Sequence, residues 1–363
     1  MGIVRTDEHR RSEIESFRRL LLSCAGACKS KEEEEIRNSP VMNADNDGVV
    51  HDKVVCVTSG VSFLGIAIVN QLLLRGYNVR IIVDNQDDVD NLREMERSGE
   101  MRGTNNRIGI VMAKLYEAES LSDVFSGCCG VFHTSAFIDP AGLSGYSKFM
   151  ADLEVKAAEN VIEACAVTPS IRHCVLTSSL LACTWKDYSA NNVSPVINHH
   201  CWSDESFCIE KKLWYALGKL RAEKAAWRVA EERGLKLTTI CPGLIRGPEF
   251  FNRNTTSTIA YLKGAQEMYE KGLLASVDVN RLAEAHVCVF EEMSRTASGR
   301  YICFDQVIKN EEEVETLAQE TGIRVNFISE TENASGDATI QFQLSNLKLS
   351  RLMSRVRNCK ITF

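Results

Sequence analysis

Two residues four positions apart, Tyr215 and Lys219 in YALGK, have the types and spacing needed for acid–base chemistry. On a helix this spacing places both side chains on one face, where the ammonium would lower the phenol's pKa from about 10. A tyrosine tuned in this way can donate a proton. Ser179, which closes the run HCVLTSS upstream, would hydrogen-bond the substrate oxygen that receives this proton. This order predicts a proton-transfer site, although YxxxK also occurs as a chance surface pair.

A glycine-containing turn, VTSGVSFLG, joins a strand-like run to a helical stretch. Such a turn places backbone N–H groups and a helix N-terminus against a pyrophosphate. Serines stand at two expected glycine positions; a serine hydroxyl could donate to phosphate, but its side chain fills space that the ligand needs. We therefore predict weakened cofactor binding through Ser59, Gly60, Ser62, Phe63, Leu64 and Gly65. The alternative is a turn that only connects strand to helix.

The end of the next strand-like run indicates which NAD(P)H cofactor is favoured. Asp84 lies there, 19 residues after Gly65. A carboxylate accepts hydrogen bonds from both hydroxyls of an adenosine ribose but repels a 2′-phosphate, so NADH is favoured over NADPH. Acidic residues at a helix N-terminus are the alternative explanation of this segment. Pro242, in CPGLIRGP, is predicted to form a wall beside the nicotinamide ring.

These candidate residues lie among strand-like runs that alternate with helical stretches from residue 53 onward. The runs are VVCVTS, NVRIIV, IGIVMA, GVFHTS, HCVLTSS and KLTTIC. This alternation is typical of βαβ units, so we predict an α/β fold with a doubly wound parallel Rossmann sheet. Glycines that follow three of the helical stretches predict left-handed helix ends at Gly76, Gly127 and Gly234.

Composition and pattern divide the chain into four predicted segments. Residues 1–52 form a charged helical or disordered extension, with an amphipathic helix expected at 6–24. Residues 53–248 form the NAD(P)-binding Rossmann domain. Residues 249–330 form a smaller substrate lobe with some return to the sheet, and 331–363 form a C-terminal tail that ends in a basic amphipathic stretch.

The acidic composition, with a formal net charge of −7, limits the expected partners. It argues against nucleic acid, whose phosphates attract excess Lys and Arg. The absence of a long apolar run and of a secretory signal favours a cytoplasmic location. MGIVRT fits the myristoylation pattern at Gly2, so peripheral membrane association is the alternative, with Cys24 and Cys28 as candidate second anchors. The cysteines are scattered, which predicts reduced thiols, and His199 and His200 lack zinc-ligand spacing.

Together the motifs resemble the plant cinnamoyl-CoA reductase and dihydroflavonol reductase group of extended short-chain dehydrogenases, over roughly 53–327, and within it the defence-linked cinnamoyl-CoA reductase-like branch. The segments that carry the resemblance are LGIAIVNQLLLRGYNVR, GCCGVFHTSAF, CVLTSS, CWSDESFC, WYALGK, AEKAAW, CPGLIRGP and VDVNRLAEAHV. The resemblance implies an NAD(P)H-dependent oxidoreductase that reduces a phenylpropanoid-type thioester or carbonyl, in phenolic or lignin defence metabolism. It also implies that Ser179, Tyr215 and Lys219 form the catalytic triad.

Several positions depart from the pattern of that family. Asp84 stands where the family has the arginine that holds the NADP phosphate, and Lys114 replaces an aspartate that contacts adenine. LWYALGK replaces NWYCYGK, and TSAF at 134–137 replaces Ala-Ser-Pro. Ser257 and Ala260 stand at the positions of a histidine and a lysine that help bind CoA, and the family's cysteine pair is matched by Cys201 and Cys208. Two buried thiols are the alternative interpretation of that pair.

Two hypotheses follow. The first is an active reductase that prefers NADH and acts on a small aromatic carbonyl or acyl-CoA. The second is a catalytically weak or inactive reductase-like binding or regulatory protein, which kept the fold while its cofactor turn diverged. The complete Ser179, Tyr215 and Lys219 set favours the first hypothesis, and Ser59 and Ser62 favour the second.

Overall fold

The computed structural model describes residues 53–101, 107–134, 146–188, 194–248, 255–321 and 341–361. Its strands are β1 Val54–Val57, β2 Asn78–Val83, β3 Ile108–Met112, β4 Gly130–His133, β5 His173–Thr177, β6 Val196–Ile197, β7 Lys236–Pro242, β8 Leu244–Arg246, β9 Ala275–Asp278, β10 Gly299–Cys303, β11 Gln306–Val307 and β12 Gln343–Leu344. The predicted helix at 6–24, the myristoylation site at Gly2, and Cys24 and Cys28 lie outside the described residues.

Helices connect most of these strands. They are α1 Phe63–Leu74, α2 Gln86–Ser98, α3 Leu121–Phe125, α4 Lys148–Val167, α5 Leu181–Thr184, α6 Glu205–Glu210, α7 Trp214–Arg233, α8 Thr255–Tyr261, α9 Ala265–Glu270, α10 Val279–Glu292, α11 Glu311–Thr321 and α12 Leu347–Ile361. In the part of the chain that the structure describes, no helix is both long and apolar enough to cross a lipid bilayer.

Seven parallel strands form the central sheet in the order β10-β7-β5-β4-β1-β2-β3. The six predicted strand runs are all present, and the run RYICF supplies β10 at the edge. The chain builds outward from β1 to β3 and then returns to place β4 on the other side of β1. This reversal is the switch point at which such sheets bind ligands, and the predicted doubly wound Rossmann architecture is confirmed.

The apolar strand runs have a simple physical reason, since both faces of the sheet are covered. Ile81 points toward one core, which also contains Ile68 of α1 and Leu282 of α10. The next residue, Ile82, points to the opposite core, which contains Val161 of α4 and side chains of α7. Successive residues of a strand face opposite sides, so a strand that is buried on both sides must be apolar throughout.

The three glycines expected to end helices adopt the left-handed conformation. Gly76, Gly127 and Gly234 have φ angles of 80°, 76° and 71°. A residue with a Cβ is strained there, whereas glycine is not. This prediction is therefore confirmed.

A smaller sheet, in the order β11-β9-β8, adjoins the carboxyl edge of the main sheet. Its β9 pairs with β8 in parallel and with β11 in antiparallel orientation. Side chains of α8 and α9 share one core with this sheet and with α5. Within 249–330, α10 packs against α1, and β10 pairs with β7 in the main sheet. The short parallel pair of β12 and β6 and the C-terminal helix α12, which packs against α10, complete the described fold.

Candidate active site

A cavity opens at the carboxyl edge of the main sheet, beside the switch point. We call it the central cavity. Seven of the predicted catalytic and cofactor-binding residues line it, namely Ser62, Phe63, Leu64, Ser179, Tyr215, Lys219 and Pro242. Ser59, Gly60, Gly65 and Asp84 are not among its lining residues.

The triad end of the central cavity, defined by Ser179, Tyr215 and Lys219, combines a strand end with a helix. Tyr215 and Lys219 lie one turn apart on α7, and the lysine Nζ is 5.7 Å from the centre of the tyrosine ring. Ser179 follows β5 and is buried, and its Oγ accepts the N–H of Leu181 at 3.2 Å. The fold therefore brings the three residues to one cavity although 40 positions separate the first from the last.

Close packing of α4 against α7 fixes the position of Tyr215. Gly218 of YALGK permits this contact, because a Cβ there would lie only 3.0 Å from the Cα of Ala151 and from the hydroxyl of Tyr146. The Tyr146 ring in turn packs edge-to-face on the Tyr215 ring, with centres 5.0 Å apart. A glycine in the motif thus sets the spacing of the two helices behind the phenol.

Lys219 has a partner that the sequence did not indicate. Its ammonium forms a buried ion pair with Glu154 of α4, and the Tyr146 hydroxyl donates to the same carboxylate. Burial acts to lower the pKa of Lys219, but Glu154 and Tyr215 outweigh it and leave that pKa raised. Glu154 lies in the charged helical segment MADLEVKAAEN, where nothing distinguishes it from its surface neighbours. Only the pairing of α4 with α7 reveals its role.

The pKa of Tyr215 departs from the expectation drawn from the sequence. Burial raises it, Glu154 raises it further, and Lys219 acts in the lowering direction but does not prevail. The sequence showed the lysine but neither the burial nor the carboxylate. Tyr215 is accordingly protonated at neutral pH.

A second buried ion pair supports the strand end that carries Ser179. Glu223 of α7 accepts hydrogen bonds from the Ser178 hydroxyl at 2.7 Å, the Thr239 hydroxyl at 2.6 Å and the Arg300 Nε at 2.8 Å. Arg300 also stacks on Trp202, with its guanidinium carbon 3.5 Å from the ring centre. This network ties β5, β7, β10 and α7 together directly behind the triad end.

The loop end of the central cavity, defined by Ser62, Phe63 and Leu64, is the first turn of α1. Ser62 caps this helix: its hydroxyl accepts the N–H of Gly65 at 3.0 Å and donates to the Ser59 carbonyl at 2.7 Å. The sequence suggested that this hydroxyl could donate to a phosphate. In the structure it is instead engaged within the turn. Gly65 closes the turn, because a Cβ there would lie 1.9 Å from the Ser59 carbonyl oxygen.

A nicotinamide dinucleotide fits the donors that the central cavity presents. N–H groups in the first turn of α1 are suited to bind its phosphates, because a helix N-terminus carries partial positive charge. The buried hydroxyl of Thr134 also lines the cavity and has no hydrogen-bond partner among the described residues. Buried polar groups of this kind are normally satisfied, so it is suited to bind a ligand. The sequence did not identify it as a binding group.

Behind the loop end, a histidine links the ends of two strands. The Thr58 hydroxyl contacts Nδ1 of His133 at 3.0 Å and accepts the N–H of Thr134 at 3.2 Å. Burial first, and then the charge of Lys219, lowers the pKa of His133 to about 3. His133 is thus neutral at physiological pH and serves to join β1 to β4.

Asp84 and Lys114 follow the ends of the neighbouring strands β2 and β3. Burial and Asp88 raise the pKa of Asp84, while the Lys114 ammonium acts to lower it. Lys114 also pairs with Glu117 at 3.7 Å. Lys114 is therefore a cation close enough to act on Asp84. The preference for NADH was inferred from Asp84 without this cation.

Of the remaining predicted residues that the structure describes, only one contacts the cavity. Ser257 lines the central cavity, whereas Ala260 packs against α4. Cys201 is half-buried and Cys208 is buried, and every cysteine whose side chain the structure describes is an unbonded thiol. The rings of His199 and His200 are 4.0 Å apart. Within the described ranges, no cluster of histidine, cysteine and carboxylate side chains could hold a metal ion.

Comparison with known proteins agrees with this geometry. Residues 56–323 match the model of the 3-beta hydroxysteroid dehydrogenase/isomerase family. Cinnamoyl-CoA reductase 1 of Petunia hybrida is 37% identical over 279 residues, covering 74% of this chain and 78% of that protein. Cinnamoyl-CoA reductase 1 of Arabidopsis thaliana is 37% identical over 276 residues, covering 74% of both chains.

A solved structure shows the same fold. Yeast methylglyoxal/isovaleraldehyde reductase Gre2, complexed with NADPH, superposes with a TM-score of 0.61 at 20% identity, covering 83% of this chain and 93% of that one. The family match and the cinnamoyl-CoA reductase relatives confirm the resemblance found in the sequence. The chain belongs to the 3-beta hydroxysteroid dehydrogenase/isomerase family and is an oxidoreductase of the extended short-chain type.

Proposed function

We propose that this chain uses a nicotinamide cofactor to reduce the carbonyl or thioester group of a phenylpropanoid-type substrate in the central cavity. The observation that carries the proposal is the meeting of Ser179, Tyr215 and Lys219 with the first turn of α1 in one cavity. The similarity to cinnamoyl-CoA reductases supports an aromatic acyl-CoA or aromatic carbonyl as the substrate class.

The residues that would hold the cofactor lie along one side of the cavity. The first turn of α1 would receive the phosphates, Lys219 would hold the nicotinamide ribose, and Pro242 would lie against the ring. When bound, the nicotinamide supplies the hydride for reduction. Fixing the cofactor beside Tyr215 would place hydride and proton donors on the same substrate group.

Tyr215 would act as the general acid and Ser179 as a hydrogen-bond donor to the reacting oxygen. Burial and Glu154 keep the pKa of Tyr215 raised, so its proton is present at neutral pH. That is the protonation state a reductase needs. The hydroxyl of Thr134, which has no partner among the described residues, would bind a polar atom of the cofactor or substrate.

We assign the cofactor preference to NADH on the strength of Asp84. Its carboxylate would accept ribose hydroxyls and repel a 2′-phosphate. Because Lys114 acts on Asp84, that repulsion is partly offset, and we expect a preference of several-fold, well short of exclusive use.

The proposal is tested with the purified full chain. Tryptophan fluorescence would measure the Kd of NADH and of NADPH, and cofactor oxidation would be followed with hydroxycinnamoyl-CoA thioesters, aromatic aldehydes and aromatic ketones. Tyr215→Phe should lower kcat by about 100-fold or more without weakening cofactor binding, because it removes only the acid. Tyr269→Phe is the matched control, since that hydroxyl contacts the Lys309 carbonyl and Tyr269 does not line the cavity.

Two results would contradict the proposal. Failure to bind either cofactor would indicate the alternative, a reductase-like protein with a binding or regulatory role. Turnover that survives undiminished in Tyr215→Phe would remove Tyr215 from the chemistry even if the reductase activity is real.

A further inference from the structure

We propose that Glu154 is a positioning residue that offsets the charge of Lys219 and so keeps Tyr215 protonated up to high pH. The inference rests on the proposed function and adds to it a residue that sets the pH range of the reaction. Glu154 is 2% exposed and forms its ion pair with a Lys219 side chain that is 5% exposed. A carboxylate buried to this extent carries a large desolvation cost unless it is paired, so its place beside Lys219 is specific.

The surroundings of Glu154 connect it to Tyr215 on two sides. It binds Lys219, which lies one helical turn from Tyr215 on α7. It also accepts the hydroxyl of Tyr146, whose ring packs on the ring of Tyr215 with centres 5.0 Å apart. The four side chains form one packed group between α4 and α7, in which only Tyr215 is partly exposed. Gly218 allows the helices to approach this closely.

The charge balance at Tyr215 follows from the groups that face it. These are Lys219 on its own helix, Glu154 on α4, Tyr146 just before α4 and Tyr261 on α8, with neutral His133 of β4 beside Lys219. An ammonium alone would stabilise the tyrosinate form. The adjacent carboxylate cancels much of that field, because the two opposite charges lie side by side in a medium where both act strongly.

The consequence concerns the proton that Tyr215 must supply. In each turnover the Tyr215 O–H bond breaks, its proton passes to the substrate oxygen, and the tyrosinate regains a proton from solvent. Reduction therefore ceases at the pH where Tyr215, or the coupled pair of Tyr215 and Lys219, loses a proton. Removing the Glu154 charge should move this loss to lower pH, whichever of the two groups gives up its proton.

The closing experiment measures this ionisation directly, without relying on turnover. Alkaline titration of phenolate absorbance, taken as the difference between the protein and its Tyr215→Phe variant, reports the ionisation that depends on Tyr215. In Glu154→Gln, which preserves shape and removes charge, ionisation should begin about one pH unit or more lower. The alkaline limb of the pH profile of kcat/KM should shift equally. Glu154→Asp, which retains the charge, should restore a profile close to that of the unsubstituted chain.

The matched control is Glu159→Gln. Glu159 also joins α4 to α7, through Arg228 at 2.8 Å, but that pair lies at the surface and should leave both measurements unchanged. If Glu154→Gln does not fold, Tyr146→Phe tests the same idea in the opposite direction. It leaves the carboxylate with one donor fewer, so Tyr215 should ionise at a pH no lower than before.

The outcomes separate the two proposals. A folded Glu154→Gln variant whose Tyr215 ionises at the original pH would overturn the role of Glu154, as would a downward shift in Tyr146→Phe. Absence of turnover in the unsubstituted chain, together with the expected shift in phenolate titration, would instead refute the proposed function and leave the role of Glu154 intact.

Discussion

The two ends of the central cavity are built in different ways. At the triad end, the groups expected to act are buried or partly buried side chains, and each charge is paired across two elements, as in Lys219 with Glu154 and Arg300 with Glu223. At the loop end, the groups that face the cavity belong to the first turn of a helix, and the one serine hydroxyl there is engaged within its own turn. The first arrangement depends on side-chain identity and the second on backbone shape.

This difference explains why the triad residues match the family pattern while serines replace glycines at the loop end. Proton transfer requires a phenol and an ammonium, so replacing either would remove the chemistry. A helix N-terminus presents N–H groups whatever its side chains are, so serine can replace glycine provided that the turn keeps its course. Ser62 keeps that course by capping α1 itself. We therefore expect the substitutions at the loop end to alter the affinity for the cofactor and to leave the site in place.

The largest effect should come from breaking the ion pair behind the triad end. Arg300→Met leaves Glu223 buried without its cation, which should lower the free energy of unfolding by about 3–5 kcal/mol. Chemical denaturation would measure it. Arg295→Met is the matched control: its pair with Glu292 is at the surface, so stability should change little. Equal losses in the two variants would show that the buried network does not support this end.

A smaller effect should appear on acidification, because a buried histidine lies behind each end. His133 contacts Thr58 and His286 contacts Thr177, and burial lowers their pKa values to about 3 and about 4. Below about pH 6.5 the unfolded chain binds protons that the folded chain excludes. Each histidine should therefore lower the free energy of unfolding as the pH falls from about 6.5 toward its folded pKa. The loss should be roughly 2 kcal/mol per histidine at about pH 5. Above about pH 6.5 neither histidine should affect stability in this way.

Thermal unfolding across this pH range would measure the acid loss. His133→Gln and His286→Gln should each remove part of this loss of stability, by similar amounts. A variant as acid-sensitive as the unsubstituted chain would show that its histidine becomes charged without cost, and that the corresponding end is less closed than the structure indicates.

The smallest effect concerns the cap at the loop end. Ser62→Ala should lower stability by about 1 kcal/mol, since it removes the side-chain acceptor of the Gly65 N–H, whereas Ser62→Gly should cost only a few tenths. Ser62→Gly should also tighten cofactor binding, because it clears space at the first turn of α1. Denaturation and fluorescence titration would measure the two quantities. Unchanged cofactor affinity in Ser62→Gly would show that the serine leaves the phosphate path open.

Much of the fold was predictable from local pattern. Apolar runs and their spacing identify β1 to β5 and β7, since a sheet covered on both faces requires such runs. The left-handed glycines, Gly76 and Gly234 among them, were predictable because few other residues tolerate that conformation. The place of β10 at the sheet edge, and the antiparallel pairing of β11 with β9, could not be read from short runs.

The sequence by itself determined the family, the order of the motifs and the candidates Ser179, Tyr215 and Lys219, because these depend on residue types at fixed local spacings. Tertiary structure alone decided what surrounds them. Glu154 meets Lys219 because α4 packs on α7, and Lys114 acts on Asp84 because β2 and β3 are neighbours. Electrostatic effects depend on distance and burial in space, and neither quantity is encoded in the separation of residues along the chain.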